Sequence, residues 1–280
     1  MEILKLFSGF ELAEGPIYIE KAHILVWVDI DGCKIHFYNE ETKIKDEFVF
    51  EDNVGCVVPY KDKTVVCAVG QSLIYFNLED KEILKTVKIF DDKRLRFNDG
   101  KCDKFGNLWV GTMDKKYDEV KSKNLGSLYC IKNDLVINKY DNFSIPNGLD
   151  WIDTYFFHID TPTKTVYRYE VKDECILQNK TPFLFDFKSS PDGMTLDRDN
   201  NFWIALWGGK KVVCYSYKTK TLIDEISFDD NFISCVSFGS DKFDSMFVTS
   251  AKEENKKGSI YKIKTKYRGK APNRYNGTLK

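Results

Sequence analysis

Four residues with side-chain oxygen atoms recur in one register along the chain, each directly before a glycine. They are Glu14, Asp99, Asn147 and Asp192. Two further segments, which begin at Val54 and Ser234, keep the same spacing. We call these six positions the starts, and they follow one another at intervals of 40 to 48 residues. Carboxylate and amide oxygens are the ligands that hard divalent cations prefer, with water at the open positions. If the six starts converge in the fold, these side chains could hold one cation.

A second interpretation of the same residues is structural. Asp-Gly and Asn-Gly pairs are also common turn elements, so any one of the four taken alone indicates a turn. Their recurrence in one register is what favours a shared site. The three histidines, His23, His36 and His158, fall at other registers, and we therefore do not expect a histidine-rich zinc site.

The elements that would bring the six starts together are predicted to be β-strands. Each start is followed by two runs in which apolar and polar residues alternate, such as the run around Trp27 with 34–39, or the run around Trp203 with 212–217. A period of two, rich in Val, Ile, Tyr, Phe and Trp, is typical of antiparallel hairpins. Connecting segments such as 131–144 can supply a fourth strand.

Six units of about 45 residues predict an all-β fold, a six-bladed β-propeller with four-stranded antiparallel blades around a central channel. In such a fold the innermost strand of each blade starts near the channel mouth, so the six starts point at a common axis. Residues 1–280 are expected to form this single domain. Only the stretch 114–125 and the tail from Lys270 are expected to be irregular.

The charge balance argues for a small partner. The chain carries 42 basic and 43 acidic residues, a formal net charge of -1, which gives no electrostatic reason to expect nucleic acid or an anionic membrane. Lys262, Lys264 and Lys266 alternate with apolar or neutral residues, as on an outer strand with a solvated edge. No run approaches the ~20 apolar residues of a membrane span, and the first residues lack the apolar core of a signal peptide. We expect a cytoplasmic monomer.

The eight cysteines are scattered singly and form no CxxC pair. Several lie inside apolar runs that are predicted to be strands. This distribution indicates reduced, buried thiols that act as small apolar side chains, and neither a disulfide framework nor a zinc site.

Longer motifs carry a resemblance to a known family. The segments 13–39, 96–113 (RFNDGKCDKFGNLWVGTM), 146–170, 191–209 (PDGMTLDRDNNFWIALWGG) and 232–251, with the closing GKAPNRYNG, resemble the SMP-30/gluconolactonase/regucalcin family. The resemblance covers essentially the whole chain. It implies a six-bladed propeller with one divalent metal ion in the channel, and commonly a lactonase activity on sugar lactones.

Carried over residue by residue, the resemblance assigns roles to five positions. The metal ligands fall on Glu14, Asn147 and Asp192, all of which belong to the recurring register. Asp192 is also the position of the family's proposed general base, while Arg96 and Asn98 match its substrate-binding residues. Asp99 is then expected to play a supporting role. The native metal stays open between Ca²⁺, Mg²⁺, Mn²⁺ and Zn²⁺.

One departure from the family concerns the substrate. Members that act on sugar lactones carry a glutamate in the loop before the GSLY-type strand, where it helps to hold substrate hydroxyl groups. Here the stretch reads VKSKNLGSLY, with Ser122 or Lys123 near that position and Asp118 and Glu119 farther upstream. Specificity for a gluconolactone-like sugar is therefore not predicted, and whether 114–125 closes over the substrate stays open.

These observations favour a metal-dependent lactone hydrolase in which the metal acts as a Lewis acid and Asp192 as the general base. Related chemistry on organophosphates or on a luciferin-type substrate is an alternative. The rivals from other classes are a non-enzymatic calcium-binding or regulatory protein, and a propeller that only displays a protein-binding face. Arg96 and Asn98 discriminate between them, because a metal buffer has no use for residues that bind a substrate.

Overall fold

The computed structural model describes residues 2–117 and 124–279. It confirms the predicted six-bladed β-propeller, in which every blade is a four-stranded antiparallel sheet. Two single-turn 3-10 segments, Glu20–Ala22 and Thr161–Thr163, accompany the strands. No helix in the described part of the chain is long and apolar enough to cross a membrane.

The strands follow the chain order from blade to blade. The first three blades consist of β2 (Ala13–Ile19), β3 (Ile24–Asp29), β4 (Lys34–Asn39) and β5 (Lys45–Val49), then β6 (Val54–Pro59), β7 (Thr64–Val69), β8 (Ser72–Asn77) and β9 (Glu82–Lys88), then β10 (Leu95–Cys102), β11 (Leu108–Asp114), β12 (Gly126–Lys132) and β13 (Leu135–Phe143). The next two consist of β14 (Pro146–Ile152), β15 (Tyr155–Asp160), β16 (Thr165–Asp173) and β17 (Ile176–Leu184), then β18 (Ser190–Leu196), β19 (Phe202–Trp207), β20 (Lys211–Tyr215) and β21 (Leu222–Ser227). The sixth blade has the order β22 (Ile233–Gly239), β23 (Ser245–Ser250), β24 (Gly258–Lys264) and β1 (Ile3–Phe10).

The N-terminal strand closes the ring. β1 pairs antiparallel with β24, from Ile3 opposite Ile263 to Phe10 opposite Gly258. The prediction that the lysine-rich segment around Lys262 is an outer strand was therefore wrong, because β1 covers its edge. Alternation reveals that a segment is a strand but not which neighbour it takes. The Lys262 ammonium forms an ion pair with Glu40, and Lys264 lies 2.6 Å from Asp244, so these cations are paired.

The first strand of each blade surrounds the axis. We call β2, β6, β10, β14, β18 and β22 the inner strands, and each packs against two others in a closed ring. The end of the channel at which they begin is called the mouth, and the opposite end the far end. Between blades the core is apolar and aromatic, with Trp27, Trp109 and Trp203 fully buried.

The polar turns that precede two of these tryptophans share one construction. Asp103 accepts hydrogen bonds from the backbone N–H of Asn107 and from the indole N–H of Trp109, at 2.9 and 3.1 Å. Asp197 does the same for Asn201 and Trp203 at the same two distances. A buried aspartate thus fixes the turn and satisfies the indole donor, which explains the recurring Asp-Asn-Trp spacing.

One pair of cysteines is joined, which corrects the prediction that all the thiols are reduced. Cys130 of β12 and Cys175, in the turn between β16 and β17, form a disulfide that links the third blade to the fourth. The other six cysteines are free thiols. The partners lie 45 residues apart in sequence, and pairing over such a distance cannot be read from spacing.

Breaking this link is expected to lower the stability of the oxidised protein. Closure of a 45-residue loop corresponds to about 4 kcal/mol in the chain-entropy treatment of disulfides. Denaturant unfolding of the wild type with and without a thiol reductant, and of the Cys130→Ala/Cys175→Ala double variant, measures the difference. The reduced wild type and the variant should both be less stable than the oxidised wild type. Equal stability of the wild type in both conditions would contradict a disulfide that constrains the fold.

A buried histidine is expected to make the fold sensitive to acid. His158 is fully buried between Phe143 and Phe156, and within the described chain neither ring nitrogen has a hydrogen-bond partner. Burial lowers the pKa of His158 to about 3. The unfolded chain therefore takes up a proton near pH 6.5 that the folded protein does not, and stability falls with pH between about 6.5 and 3.

The corresponding experiment compares the wild type with His158→Phe. From pH 7.5 to pH 5.5 the wild type should lose about 1 kcal/mol more free energy of unfolding than the variant, because the variant has no proton to take up at this position. Urea unfolding at the two pH values provides the measurement. An identical pH dependence in both proteins would show that His158 does not titrate in this way.

Candidate metal and substrate site

All six inner strands are irregular at the same place, which is the register of the recurring residues. The antiparallel pairing with the second strand of the blade shifts between Glu14 and Ile17, between Asn147 and Leu149, between Pro191 and Met194, and at the corresponding positions of the other three blades. Such bulges turn a side chain away from the regular alternation of the sheet. Here they turn the side chains at the starts of the strands into the channel.

The glycines after Asp99, Asn147 and Asp192 let the inner strands approach one another, whereas Gly15 has open space around it and a positive φ of 49°. A Cβ atom on Gly148 would lie 2.6 Å from the Asp192 carbonyl oxygen of the next strand, and one on Gly100 would lie 2.7 Å from Cys56 Sγ. Any larger residue would push the strands apart. These three glycines therefore allow the inner strands to pack closely at one level of the channel, which we call the waist.

Glu14, Asn147 and Asp192 lie close to one another at the mouth side of the waist. All three side chains are buried. Burial raises the pKa of Asp192 well above its ordinary value, and the Glu14 carboxylate raises it further, whereas the neighbouring Asn147 amide lowers it. Burial is also the main cause of the raised pKa of Glu14, to which Asp99 adds. Buried carboxylates that repel one another in this way are stabilised by a cation between them.

Two aspartates that the sequence did not single out hold the chain where it enters these strands. Asp29, at the end of β3, accepts hydrogen bonds from the backbone N–H groups of Glu11 and Leu12, at 3.1 and 2.8 Å, just before Glu14. Asp160, at the end of β15, accepts one from Ile145 at 2.8 Å, just before Asn147. Each aspartate ends the second strand of a blade, which is a signal that a search at this position of the repeat could have found.

Thr161 sets the orientation of the Asn147 amide. Asn147 Nδ2 donates to Thr161 Oγ1 at 2.8 Å, and Thr161 Oγ1 in turn donates to the Pro191 carbonyl oxygen at 2.9 Å. Because its nitrogen is engaged there, Asn147 presents its oxygen Oδ1 on the other side. The hydroxyl also links the fourth blade to the fifth next to Asp192. Nothing in the sequence indicated Thr161, since its contacts depend on the neighbouring blade.

Arg96 and Asn98 lie beside these residues, and Asn98 is hydrogen-bonded to Asn147. Arg96 Nη1 donates to Asn98 Oδ1 at 2.8 Å. Asn98 Nδ2 donates to Asn147 Oδ1 at 2.9 Å and to the Pro146 carbonyl oxygen at 2.8 Å. A chain of hydrogen bonds thus runs from Arg96 through Asn98 and Asn147 to Thr161. These hydrogen bonds position Arg96 and Asn98, the residues predicted to bind substrate, relative to Asn147, a predicted metal ligand.

Asp99 belongs to the same register but faces the other way. In the third blade the pairing skips from Phe97 to Gly100, so Asn98 and Asp99 both fall within the bulge. Asn98 bonds to Asn147, whereas Asp99 lines a large cavity on the far side of the waist. The recurring register alone did not predict that Asn98 and Asp99 face opposite sides of the waist. Both residues fall within the bulge, where the regular alternation of side chains does not hold.

The donor set at the mouth fits a divalent cation. Glu14 Oε2 accepts a hydrogen bond from the Gly15 N–H at 2.7 Å, while Asp192 Oδ1 is buried without any partner in the described chain. An unpaired carboxylate oxygen at this depth is costly unless a cation or a protonated group meets it. Groups of three or more His, Cys, Asp or Glu side chains that could hold a metal do not occur among residues 2–117 and 124–279. The candidate donors are therefore not three such side chains but the carboxylates of Glu14 and Asp192 with the amide of Asn147.

The residues considered for contacts with sugar hydroxyl groups, Asp118, Glu119, Ser122 and Lys123, lie outside the described residues. The described chain continues from Asn124, whose backbone N–H donates to Ser144 Oγ at 3.3 Å. Substrate contacts from this loop therefore stay a prediction.

The chain is similar in sequence to one known family profile and to individual proteins. Residues 12–252 match the profile of the SMP-30/gluconolactonase/LRE-like region. A Bacillus subtilis (strain 168) protein, YvrE, named provisionally as a sugar lactone lactonase, is 31% identical over 259 residues, which cover 90% of this chain and 87% of that protein.

Two solved structures share the fold. A luciferin-regenerating enzyme superposes with a TM-score of 0.90 at 23% identity and covers 98% of this chain and 99% of its own. The calcium-binding protein regucalcin from Agrobacterium tumefaciens strain C58 superposes with a TM-score of 0.88 at 20% identity, with 95% and 94% covered.

Proposed function

The chain belongs to the SMP-30/gluconolactonase/LRE-like family, and we propose that it hydrolyses lactones with a divalent cation held by Glu14, Asn147 and Asp192. The observation that carries this proposal is the convergence of the three buried oxygen donors beside Arg96 and Asn98. The similarity to YvrE supports a lactone as the substrate class. The calcium-binding relative supports a divalent metal.

The chemistry would divide among the residues as follows. A bound cation supplies Lewis-acid stabilisation of the negative charge that develops on the lactone carbonyl oxygen. Asp192 takes a proton from the attacking water, whose oxygen forms the new bond to the carbonyl carbon. The ring C–O bond breaks, and its oxygen leaves as a hydroxyl group with the proton that Asp192 took from the water. Asp192 lies buried beside the other two proposed ligands, where its carboxylate can reach a water held at the same cation.

Arg96 and Asn98 are the residues that would hold the lactone. Asn98 is fixed by its bonds to Asn147 and to the Pro146 carbonyl oxygen, and the Arg96 guanidinium is fixed by Asn98. Such fixed donors orient the ring and its oxygens relative to the attacking water at little entropic cost. Their connection to Asn147 means that the cation and the substrate would be aligned by one hydrogen-bond chain.

A substrate panel tests the function and its metal dependence. Aldonolactones, aromatic lactones and diisopropyl fluorophosphate are assayed with the enzyme as purified, after EDTA dialysis, and after re-addition of Ca²⁺, Mg²⁺, Mn²⁺ or Zn²⁺. We expect hydrolysis of at least one lactone class, its loss on dialysis and its recovery with one or more cations. Hydrolysis that survives dialysis would contradict the metal role. The absence of any lactone hydrolysis would contradict the function and favour the calcium-binding alternative.

A further inference from the structure

A ring of six residues lies one step nearer the mouth than the proposed metal ligands. In each inner strand it is the residue two positions before the one that faces the mouth side of the waist, for example Ile145 before Asn147. Side chains two positions apart lie on the same side of a strand and about 7 Å apart along it. We call these six residues the mouth ring: Leu12, Asn53, Arg96, Ile145, Ser190 and Phe232.

The mouth ring is largely apolar. Three members, Leu12, Ile145 and Phe232, have apolar side chains that are half-buried. Arg96 is the only charged member of the six. The amide of Asn53 is engaged with the first blade, because its Nδ2 donates to a backbone carbonyl oxygen there at 2.9 Å. The level directly above the proposed ligands therefore offers one cation and an apolar wall.

Trp207 extends this wall between the fifth and sixth blades. Its ring stacks on that of Phe232, with the centroids 4.7 Å apart, and the two residues also pair through their backbones. Phe232 accepts a hydrogen bond from the Ala251 N–H at 2.9 Å, and Ala251 pairs with Leu12 of the first blade. We call Trp207, Phe232 and Leu12 the apolar arc, which is continuous across three blades.

The apolar arc adjoins the proposed catalytic residue. Trp207 lies opposite Ser190 in the pairing of β18 with β19, and Ser190 is two residues before Asp192. In a ring of six blades the third lies across the axis from the sixth, so Arg96 and Phe232 are on opposite sides of the mouth. A molecule bound at the mouth side of the waist therefore has Arg96 on one side and the apolar arc on the other.

The packing between the blades does not use up these aromatic side chains. Trp207 and Phe232 are half-buried, and within the described chain neither belongs to the apolar clusters that fill the spaces between the blades. The charged groups nearby pair with one another, since Glu11 lies 2.6 Å from Lys252 and also binds Lys257. Half-exposed aromatic side chains beside a few fixed polar groups are typical of the wall of a ligand site.

The position of the arc selects among lactones. A lactone whose carbonyl oxygen lies at the ligands places its ring substituent at the level of the mouth ring, about 7 Å higher. An apolar substituent would lose its contact with water there, and each fully buried methylene group contributes about fourfold in affinity. A substituent with several hydroxyl groups would lose hydration against Leu12 and Phe232 without gaining hydrogen bonds from them.

We propose that the substrates are lactones with an apolar alkyl or aryl substituent, which packs against Trp207, Phe232 and Leu12 while Arg96 lies on the other side of the ring. The inference rests on the proposed function for the reacting group. The preference for an apolar body rests on the apolar arc.

Three lactones with the same six-membered ring test this preference. We expect kcat/KM for δ-decalactone to exceed the values for δ-valerolactone, which has no substituent, and for glucono-δ-lactone by at least tenfold. A kcat/KM for glucono-δ-lactone equal to or above that for δ-decalactone would overturn the inference and leave the proposed function intact. The absence of hydrolysis of all three would overturn the proposed function, and the assignment of a lactone with it.

A matched pair of variants assigns the preference to the arc. Phe232→Ala should lower the ratio of kcat/KM for δ-decalactone to that for δ-valerolactone at least fivefold. The ratio is measured within one preparation, so a partial loss of folded protein does not change it. Phe105→Ala, which removes a phenylalanine that is 48% exposed in the turn between β10 and β11 at the far end, should keep the wild-type ratio. An unchanged ratio in Phe232→Ala would refute the role of the arc.

An NMR titration tests the arc without any turnover. The probe is 6-pentylpiperidin-2-one, a lactam that resembles δ-decalactone and resists hydrolysis, with piperidin-2-one as its control. In ¹⁵N-labelled wild type the indole N–H signal of Trp207, assigned with Trp207→Phe, should shift with the pentyl lactam at concentrations at least tenfold lower than with the control. The signal of Trp151, which lines the cavity at the far end, should stay in place. Equal titrations with both lactams, or a shift of the Trp151 signal alone, would overturn the inference.

Discussion

Asp192→Asn should lower kcat for lactone hydrolysis by about 10²- to 10⁴-fold while the protein still binds the cation detectably. Asparagine keeps an oxygen that can face a metal but cannot accept a proton from water. The loss of one negative charge weakens cation binding, yet Glu14 and Asn147 remain. The two effects are separated when kcat is measured at saturating metal and cation affinity by calorimetry.

Asp99→Asn is the matched control for this variant. It removes the same charge from the same register, but Asp99 lines the far cavity, so the expected loss of kcat is less than tenfold. If Asp192→Asn lost cation binding and hydrolysis in parallel, Asp192 would be a ligand only. If its turnover equalled that of the wild type at saturating metal, the general-base role would be excluded.

Arg96→Lys should lower kcat/KM for the lactone by about 10- to 100-fold with cation affinity nearly unchanged. Lysine keeps the charge but lacks the guanidinium Nη1 that donates to Asn98, and a lost hydrogen bond to a charged group is worth about 1.5–3 kcal/mol. The measurement pairs steady-state kinetics with a calcium or manganese titration of the same preparation.

This variant also separates the enzyme from a protein that only binds calcium. Arg94→Lys is a suitable control, because Arg94 is an exposed neighbour whose guanidinium pairs with Asp114 at 2.9 Å. It should retain kcat/KM within a few-fold. Equal kinetics of Arg96→Lys and the wild type would remove the substrate-binding role and favour a non-catalytic cation-binding function.

Most of the architecture was predictable because it is periodic. The six starts and their alternating strands define the blades, and the inward register of Glu14, Asn147 and Asp192 follows from the position of each start. The closure by β1 was not predictable, since alternation in residues 3–10 does not specify a partner more than 240 residues away. The Cys130–Cys175 disulfide was not predicted either, because spacing does not specify which distant cysteines pair.

Within the site the missing features arise from contacts between blades. Thr161 orients Asn147 through an interaction that appears only when the fourth and fifth blades pack. The opposite directions of Asn98 and Asp99 result from a bulge whose extent the sequence does not specify. Residue type and spacing therefore indicated the candidate groups, while the side of the waist on which each group lies required the structure.

The most direct measurement is anomalous diffraction from a crystal soaked in Mn²⁺, recorded near the manganese absorption edge. The proposed function predicts one strong peak at the mouth, bounded by Glu14 Oε, Asn147 Oδ1 and Asp192 Oδ1. The peak should disappear in a Glu14→Gln/Asp192→Asn crystal soaked in the same way. The absence of a peak at the mouth of the wild type, or a peak only beside Asp99 at the far end, would contradict the metal site on which the proposed hydrolysis depends.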